Sequence, residues 1–493
     1  MSFYQKHIKS YLLRILRFAN NTLGKQLIIK DKQLQDKYLQ YNKNRFYGPQ
    51  KYFCYAPFGS LFISYDGSVS PCYACKTKDS LLDKCLEDIW HGEIFESLRS
   101  QFRKGEIPEA CIFCKTHLES ENYGSILANK YDHYLMQKSK MPVIAELELA
   151  NTCNLECIMC SGTLSSAIRK NRENLPPVEN KIPENFSEQF SKILTSLKSI
   201  ELTGGDPLLI DEYYKILEIA EKINPKLDIL ITTNANTFTK KTEELLKKDL
   251  KLSFNVSIDS LDGEIYSQIR KNASLETALE NIETFHKYTQ QKKTSLGFLV
   301  CPLQINAFEL PNFVDFANKY NASLSYHVVF KPAHLALWTL PSEEIEKILK
   351  NLERHNFKAY DFNSTIVLNS YNSLINLIES WYKKAILREK EGNEIEKINL
   401  EIEKAKEKFT LTIGDKTLIE KAKYLIQKTD IKELPELIYL SLANKTKEEL
   451  MSGFSNFSES ELIEKLKNYH QECYSHYFYH KKFSDNEKYL NNK

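Results

Sequence analysis

From Val143 onward the chain alternates short apolar runs with stretches in which apolar residues recur three or four positions apart. The runs Ile144–Leu149, Ser199–Leu202, Asp228–Thr232, Leu252–Ile258, Leu296–Val300 and Ser323–Val329 have the length and composition of strands. Between them, Phe190/Ile193/Leu194/Leu197 and Tyr213/Ile216/Leu217/Ala220 repeat with helical spacing. Repeated strand–helix units predict a parallel sheet with right-handed crossovers. Six such units fit an α/β fold of partial (β/α)6, TIM-like barrel type, in which functional groups collect at the carboxyl ends of the strands.

The flanks read differently. Leu61 and Ile63 alternate with Phe62 and Ser64 ahead of Asp66-Gly67, which predicts a β-hairpin, and Ile89, Trp90, Phe95 and Leu98 mark a helical segment. Beyond Pro341, Leu374/Leu377/Ile378/Trp381 and Ile395/Ile398/Ile402/Ala405/Phe409 lie on either side of Gly392 and predict an antiparallel helical hairpin. At the start, Tyr11, Leu12, Leu13, Ile15, Leu16 and Phe18 are interrupted by Arg14 and Arg17, the pattern of a short basic amphipathic helix. Such a helix either packs on its own domain or touches a membrane surface. Four segments follow: an amphipathic helical segment over 1–45, a small cysteine-rich α+β domain over 46–140, the partial barrel over 141–335, and a C-terminal helical region over 336–493.

At 493 residues two or three compact units are expected. A net charge of +2 creates no global field for nucleic acid or membrane. No apolar run reaches the roughly 18 residues of a spanning helix, and the N-terminal arginines break any signal-peptide core, so a cytoplasmic protein is expected. Eleven cysteines in such a chain point to metal ligation rather than disulfides. Nine of them lie between Cys54 and Cys160; only Cys301 and Cys473 stand apart.

The strand run at Ile144 leads directly into Cys153, Cys157 and Cys160, spaced three and then two residues apart. Three thiolates on one short loop can hold three irons of a [4Fe–4S] cube that normally takes four cysteines. One iron stays open for a ligand, as the fourth position of a catalytic zinc does. A structural zinc site would want a fourth Cys or His close behind, and none follows. This stretch resembles the radical S-adenosylmethionine superfamily, whose cluster motif has this spacing. The resemblance implies that Cys153, Cys157 and Cys160 ligate the cluster and that S-adenosylmethionine chelates the open iron. Reductive cleavage would then release a 5′-deoxyadenosyl radical that abstracts hydrogen from a substrate. Met159 stands where the family often has an aromatic residue near the adenine, and is apolar and polarizable enough to pack there.

Other strand ends carry matching residues. Thr203-Gly204-Gly205-Asp206-Pro207 resembles the superfamily's Gly-Gly-Glu motif, which implies that Gly204, Gly205 and Asp206 bind the amino group of the methionine moiety. By the same resemblance, Asn234 ends the third strand as a cofactor contact, Ser257 and Asp259 are candidates for the ribose, and Arg270 for the methionine carboxylate. The bland reading of these residues is strand-end capping and a surface arginine. No catalytic acid, base or second radical residue is singled out.

Upstream, the hairpin would bring Cys54 and Cys72 together, with Cys75 three residues on and Cys111 and Cys114 beyond the Trp90 helix. This resembles the SPASM/twitch auxiliary-cluster domain, here N-terminal to the barrel. The resemblance implies that Cys54, Cys72, Cys111 and Cys114 ligate a second, auxiliary [4Fe–4S] cluster, leaving Cys75 surplus. A zinc ribbon from Cys72/Cys75 and Cys111/Cys114 is the structural alternative. Near the C-terminus His470, Cys473, His476 and His480 share helical spacing; a metal site competes there with aromatic packing around Tyr474, Tyr477, Phe478 and Tyr479.

The expected activity is radical modification of a peptide or protein, fed by an electron donor such as flavodoxin or ferredoxin. The alternatives are a radical oxidoreductase acting on a small molecule such as a sugar, and a non-catalytic iron–sulfur or zinc scaffold.

Overall fold

The computed structural model describes residues 29–45, 48–133, 141–329, 332–390, 393–431 and 434–475. The expected basic helix around Tyr11–Phe18, and His476 and His480, lie outside them. The described chain divides into two compact units. The first draws on Met1–Asn154, Val178–Ser257 and Glu276–Gly297; the second on Leu155–Pro177, Ile258–Leu275 and Phe298–Lys493.

Strand β1 (Ser60–Ser64) opens the sheet of the first unit and turns at Asp66-Gly67 into β2 (Ser68–Ser70), which pairs with β3 (Asp79–Ser80). The predicted hairpin is therefore present, with Phe62 opposite Ser70 and Ile63 opposite Val69. Its other edge joins the barrel strands: β1 runs parallel to β4 (Ile144–Glu148), with Ser60 against Ile144. Parallel pairing continues through β5 (Ser199–Leu202), β6 (Asp228–Thr233) and β7 (Lys251–Ser257). The sheet order is β3-β2-β1-β4-β5-β6-β7, and then β8 (Leu296–Val300), whose first two residues belong to this unit.

Burial follows the pattern that predicted the strands. β6 and β7 alternate buried and half-buried positions, with Ile229, Ile231, Leu252, Phe254 and Val256 inside. β4 is buried at Ile144, Ala145, Glu146 and Leu147, as a strand covered on both faces must be. Helix Phe186–Leu194 buries Phe186, Phe190, Ile193 and Leu194, and helix Asp211–Ile223 buries Tyr213, Ile216, Leu217 and Ala220, one apolar stripe each.

In the second unit the end of β8 neighbours β9 (Ser323–Tyr326), and the His327 amide donates to the Val300 carbonyl at 2.8 Å. Long helices follow. Phe362–Lys390 and Asn393–Ile413 are the two helices expected around Gly392, but each finds another partner. The first packs on Ser342–Glu353 and β9, the second on Ile438–Leu442. Ala405, Phe409 and Ile413 join Leu425, Ile438, Leu442 and Leu466 in a separate C-terminal core. Cys473 is close to Ser441, their Sγ and Oγ 3.3 Å apart. Among the described residues no helix is long and apolar enough to cross a membrane. The fold is mixed α/β, a partial TIM-like barrel extended by helices.

Candidate functional site

In the first unit the chain leaves β4 toward Cys153 and is met by the turn after β5. Gly205 donates its amide to the Ala150 carbonyl at 3.0 Å, and Asp206 donates to Thr152 at 2.8 Å. The approach requires glycine. Gly204 has φ +110°, and a Cβ on Gly205 would lie 2.1 Å from the Thr152 oxygen. The glycine pair thus fixes the backbone that presents Cys153.

Asp206, an expected cofactor contact, is held by its own strand ends. It is fully buried, and its carboxylate accepts from the Thr233 hydroxyl at 2.9 Å, the Asn234 amide at 2.9 Å and the Leu208 amide at 3.0 Å. It clamps the β5 and β6 ends together. Asn234 does reach the cysteine loop: its Nδ2 donates to Cys153 Sγ at 3.8 Å and to Asn154 Oδ1 at 3.1 Å. Ser257 is half-buried at the end of β7.

In the second unit Cys157 and Cys160 close a turn, the Cys160 amide donating to the Cys157 carbonyl at 3.1 Å. Glu156 and Ile158 donate their amides to Lys271 and Ile269, docking this part of the loop beside Arg270. Arg270 donates to Cys157 Sγ at 3.9 Å and pairs with Asp259 at 2.8 Å, both side chains buried. Asp259 also accepts the Cys301 amide at 2.7 Å. Asp259 and Arg270, the expected ribose and carboxylate contacts, thus pair with each other. The Arg270 Nε is buried and has no hydrogen-bond partner among the described residues. Burial pushes the Cys157 thiol above its usual range while the Arg270 charge pulls it back. Met159 packs with Ile158, Ile265, Ile269, Leu303 and Leu335 in a partly buried apolar cluster. Arg172, which sequence reasoning passed over, donates to the carbonyls of both Cys157 and Cys160. Nothing in its position on the chain marks it, since it follows a short helix as an ordinary basic residue.

The upstream cysteines form a single place in the first unit. Cys54, Cys72, Cys75, Cys111 and Cys114 line one small cavity with Phe53, Ala74, Phe113, Leu127, Ala128 and Tyr131. None is in a disulfide. Burial, then neighbouring thiols, raise the Cys54 thiol well above its usual value, and burial first raises Cys72 to about 12. Cys114 shifts the same way, mainly by burial, and Cys111 chiefly through its hydrogen bond to Cys75. Thiols this reluctant to ionise become ligands when a metal's positive charge takes the proton's place. Among the described residues no three His, Cys, Asp or Glu side chains form a single-ion site. The fit rests instead on donor chemistry: five thiols and an apolar wall offer the four that a cluster ligated only by cysteine takes.

Second contacts hold this cavity. Arg99 lies over the Trp90 ring at 4.3 Å and donates to the Pro57 carbonyl at 2.8 Å, fixing the segment after Cys54. Tyr131 donates to Glu146 at 2.6 Å; Glu146 also pairs with Lys130 at 3.0 Å, so the buried carboxylate on β4 is compensated.

A three-cysteine loop follows a strand, and a buried cysteine set precedes it in the sequence. Residues 147–317 match the Radical SAM superfamily, and residues 54–115 match SPASM, an iron-sulfur cluster-binding domain. The chain carries both domains, SPASM first, and the radical SAM domain is that of an enzyme superfamily. A radical SAM domain implies a [4Fe–4S] cluster with S-adenosylmethionine, and a SPASM domain implies auxiliary iron–sulfur ligation. The GTP 3',8-cyclase of Clostridium botulinum (strain Hall) is 28% identical over 188 residues, 36% of this chain and 54% of its own length. A probable GTP 3',8-cyclase of Thermococcus kodakarensis is 30% identical over 193 residues, covering 38% and 58%. The chain thus spans little more than half the length of these curated relatives. The solved structure of Streptococcus suis SuiB bound to precursor peptide SuiA is 15% identical, with TM-score 0.33, over 43% of this chain and 46% of that one.

Proposed function

We propose that the protein is a radical S-adenosylmethionine enzyme with one catalytic and one auxiliary [4Fe–4S] cluster, acting on a peptide or protein. The single observation that carries the chemistry is the Cys153/Cys157/Cys160 spacing inside the matched radical SAM domain. When bound, the cluster and S-adenosylmethionine supply a 5′-deoxyadenosyl radical, with the electron drawn from a donor such as flavodoxin or ferredoxin. The chain's own residues do the rest. Gly204 and Gly205 set the path of the loop to Cys153, Asn234 donates to its sulfur, Arg270 and Arg172 hold Cys157 and Cys160, and Met159 offers an apolar surface for a base. Cys54, Cys72, Cys111 and Cys114 hold the auxiliary cluster, which their full ligation suits to electron transfer.

A macromolecular substrate is supported by the extent of the C-terminal helices and by an apolar cavity of about 520 Å³ among them, lined by Leu425, Leu442, Phe454 and Leu466. The second reading, a small-molecule substrate, is favoured by the curated relatives, whose names make them nucleotide cyclases.

Anaerobic reconstitution tests the reading. About eight irons per chain are expected, with 5′-deoxyadenosine formed only when reductant is present and lost in Cys157→Ala. One or two zincs and no cleavage would instead establish a scaffold. Deuterated candidate peptides, nucleotides and sugars then identify the substrate by label appearing in 5′-deoxyadenosine.

A further inference from the structure

Five cysteines line the auxiliary cavity, one more than a [4Fe–4S] cluster takes. Cys75 is the one that spacing leaves over, yet its setting is that of a donor. It is only 3% exposed, less than Cys54 or Cys114 at 8% each. Its turn is fixed at both ends: the Cys75 amide donates to the Cys72 carbonyl at 3.2 Å, and the Lys76 amide donates to Ala110 at 3.0 Å. The second bond stitches the turn to the residue just before Cys111. That bond sets Cys75 beside Cys111 in the wall of the cavity they share. A cube takes four thiolates and the cavity offers five, so two donors set side by side compete for one corner.

We propose that Cys75 and Cys111 are alternative ligands to one iron of the auxiliary cluster, either one completing the set formed by Cys54, Cys72 and Cys114. The inference rests on the auxiliary cluster proposed above, and its test separates the two. The full-length chain carrying Cys153→Ala, Cys157→Ala and Cys160→Ala is reconstituted anaerobically, and iron, sulfide and the EPR spectrum of the reduced protein are measured. About four irons are expected; none would overturn the auxiliary cluster itself. In that background Cys75→Ala and Cys111→Ala each keep about four irons, with EPR spectra that differ because the ligand differs. The double variant loses at least one iron in four. Should Cys111→Ala alone lose at least one iron in four, Cys75 is a bystander. Should Cys75→Ala alone lose iron, the two thiols are not alternatives. Both single-variant outcomes stand whether or not the double variant folds.

Discussion

Arg270 places a full positive charge against Cys157 Sγ, and Asp259 places a negative one directly behind it. Charge and hydrogen bonds to cluster sulfurs set reduction potentials. Removing one partner at a time should therefore move the catalytic cluster in opposite directions. Arg270→Gln leaves Asp259 uncompensated and lowers its midpoint potential; Asp259→Asn leaves Arg270 unopposed and raises it. Redox titration monitored by EPR reads both, and a shift of the same sign in the two would disprove the arrangement. Each variant also breaks a buried pair and should lose about 3–5 kcal/mol of stability in denaturant unfolding. At Gly205 the prediction is steric. An added Cβ meets the Thr152 carbonyl, a backbone atom that cannot swing aside, so Gly205→Ala should lose the catalytic cluster and keep the auxiliary one, halving the iron. The sequence shows which residue types stand at the strand ends, and on that basis Asp206, Asp259 and Arg270 read as cofactor contacts. What it cannot show is their partners. Asp206 finds Thr233, and Arg270 finds both Asp259 and Cys157, through strand order and loop docking that no spacing rule encodes.

Strands and helices were legible because each carries its own periodicity. β4 through β9 fall within a few residues of the apolar runs, and the Asp-Gly turn marks the β1–β2 hairpin. The parallel pairing of β1 with β4 was not legible, since register between distant segments depends on the intervening fold. The same limit explains the helical hairpin: short separation at Gly392 suggested mutual packing, whereas the helices bury their stripes on other elements. Around the auxiliary cavity one tertiary contact ties elements together. Arg45, just after helix Gln35–Lys43, forms a bidentate, fully buried pair with Asp132, donates to the Tyr52 carbonyl at 3.0 Å, and lies 5.0 Å from the Tyr41 ring. Tyr52 is two residues from Cys54. Asp132→Asn should destabilise the first unit by about 3–5 kcal/mol and cost auxiliary iron before catalytic iron. Thermal unfolding with iron analysis on the reconstituted protein checks the order of loss.

The proposed radical chemistry and the proposed substrate cavity fall on residues far apart in sequence, and that separation is testable. The C-terminal helices have their own core, including Leu425, Ile438 and Leu466, and carry none of the cluster cysteines. If their cavity receives the substrate, filling it should block turnover and spare everything upstream. Gly453 lines that cavity within helix Lys447–Asn456, and a Cβ there meets nothing within 4 Å. Gly453→Leu therefore introduces a side chain into open space. It also replaces a poor helix former by a good one, worth about 1 kcal/mol toward stability, so loss of folding does not confound the result. Iron content and slow, substrate-free formation of 5′-deoxyadenosine should match the unaltered protein. Once a deuterated peptide that transfers label has been found, its transfer should fall at least tenfold in Gly453→Leu. Unchanged transfer would remove the C-terminal cavity from substrate binding and shift the balance toward a small molecule held by the barrel alone.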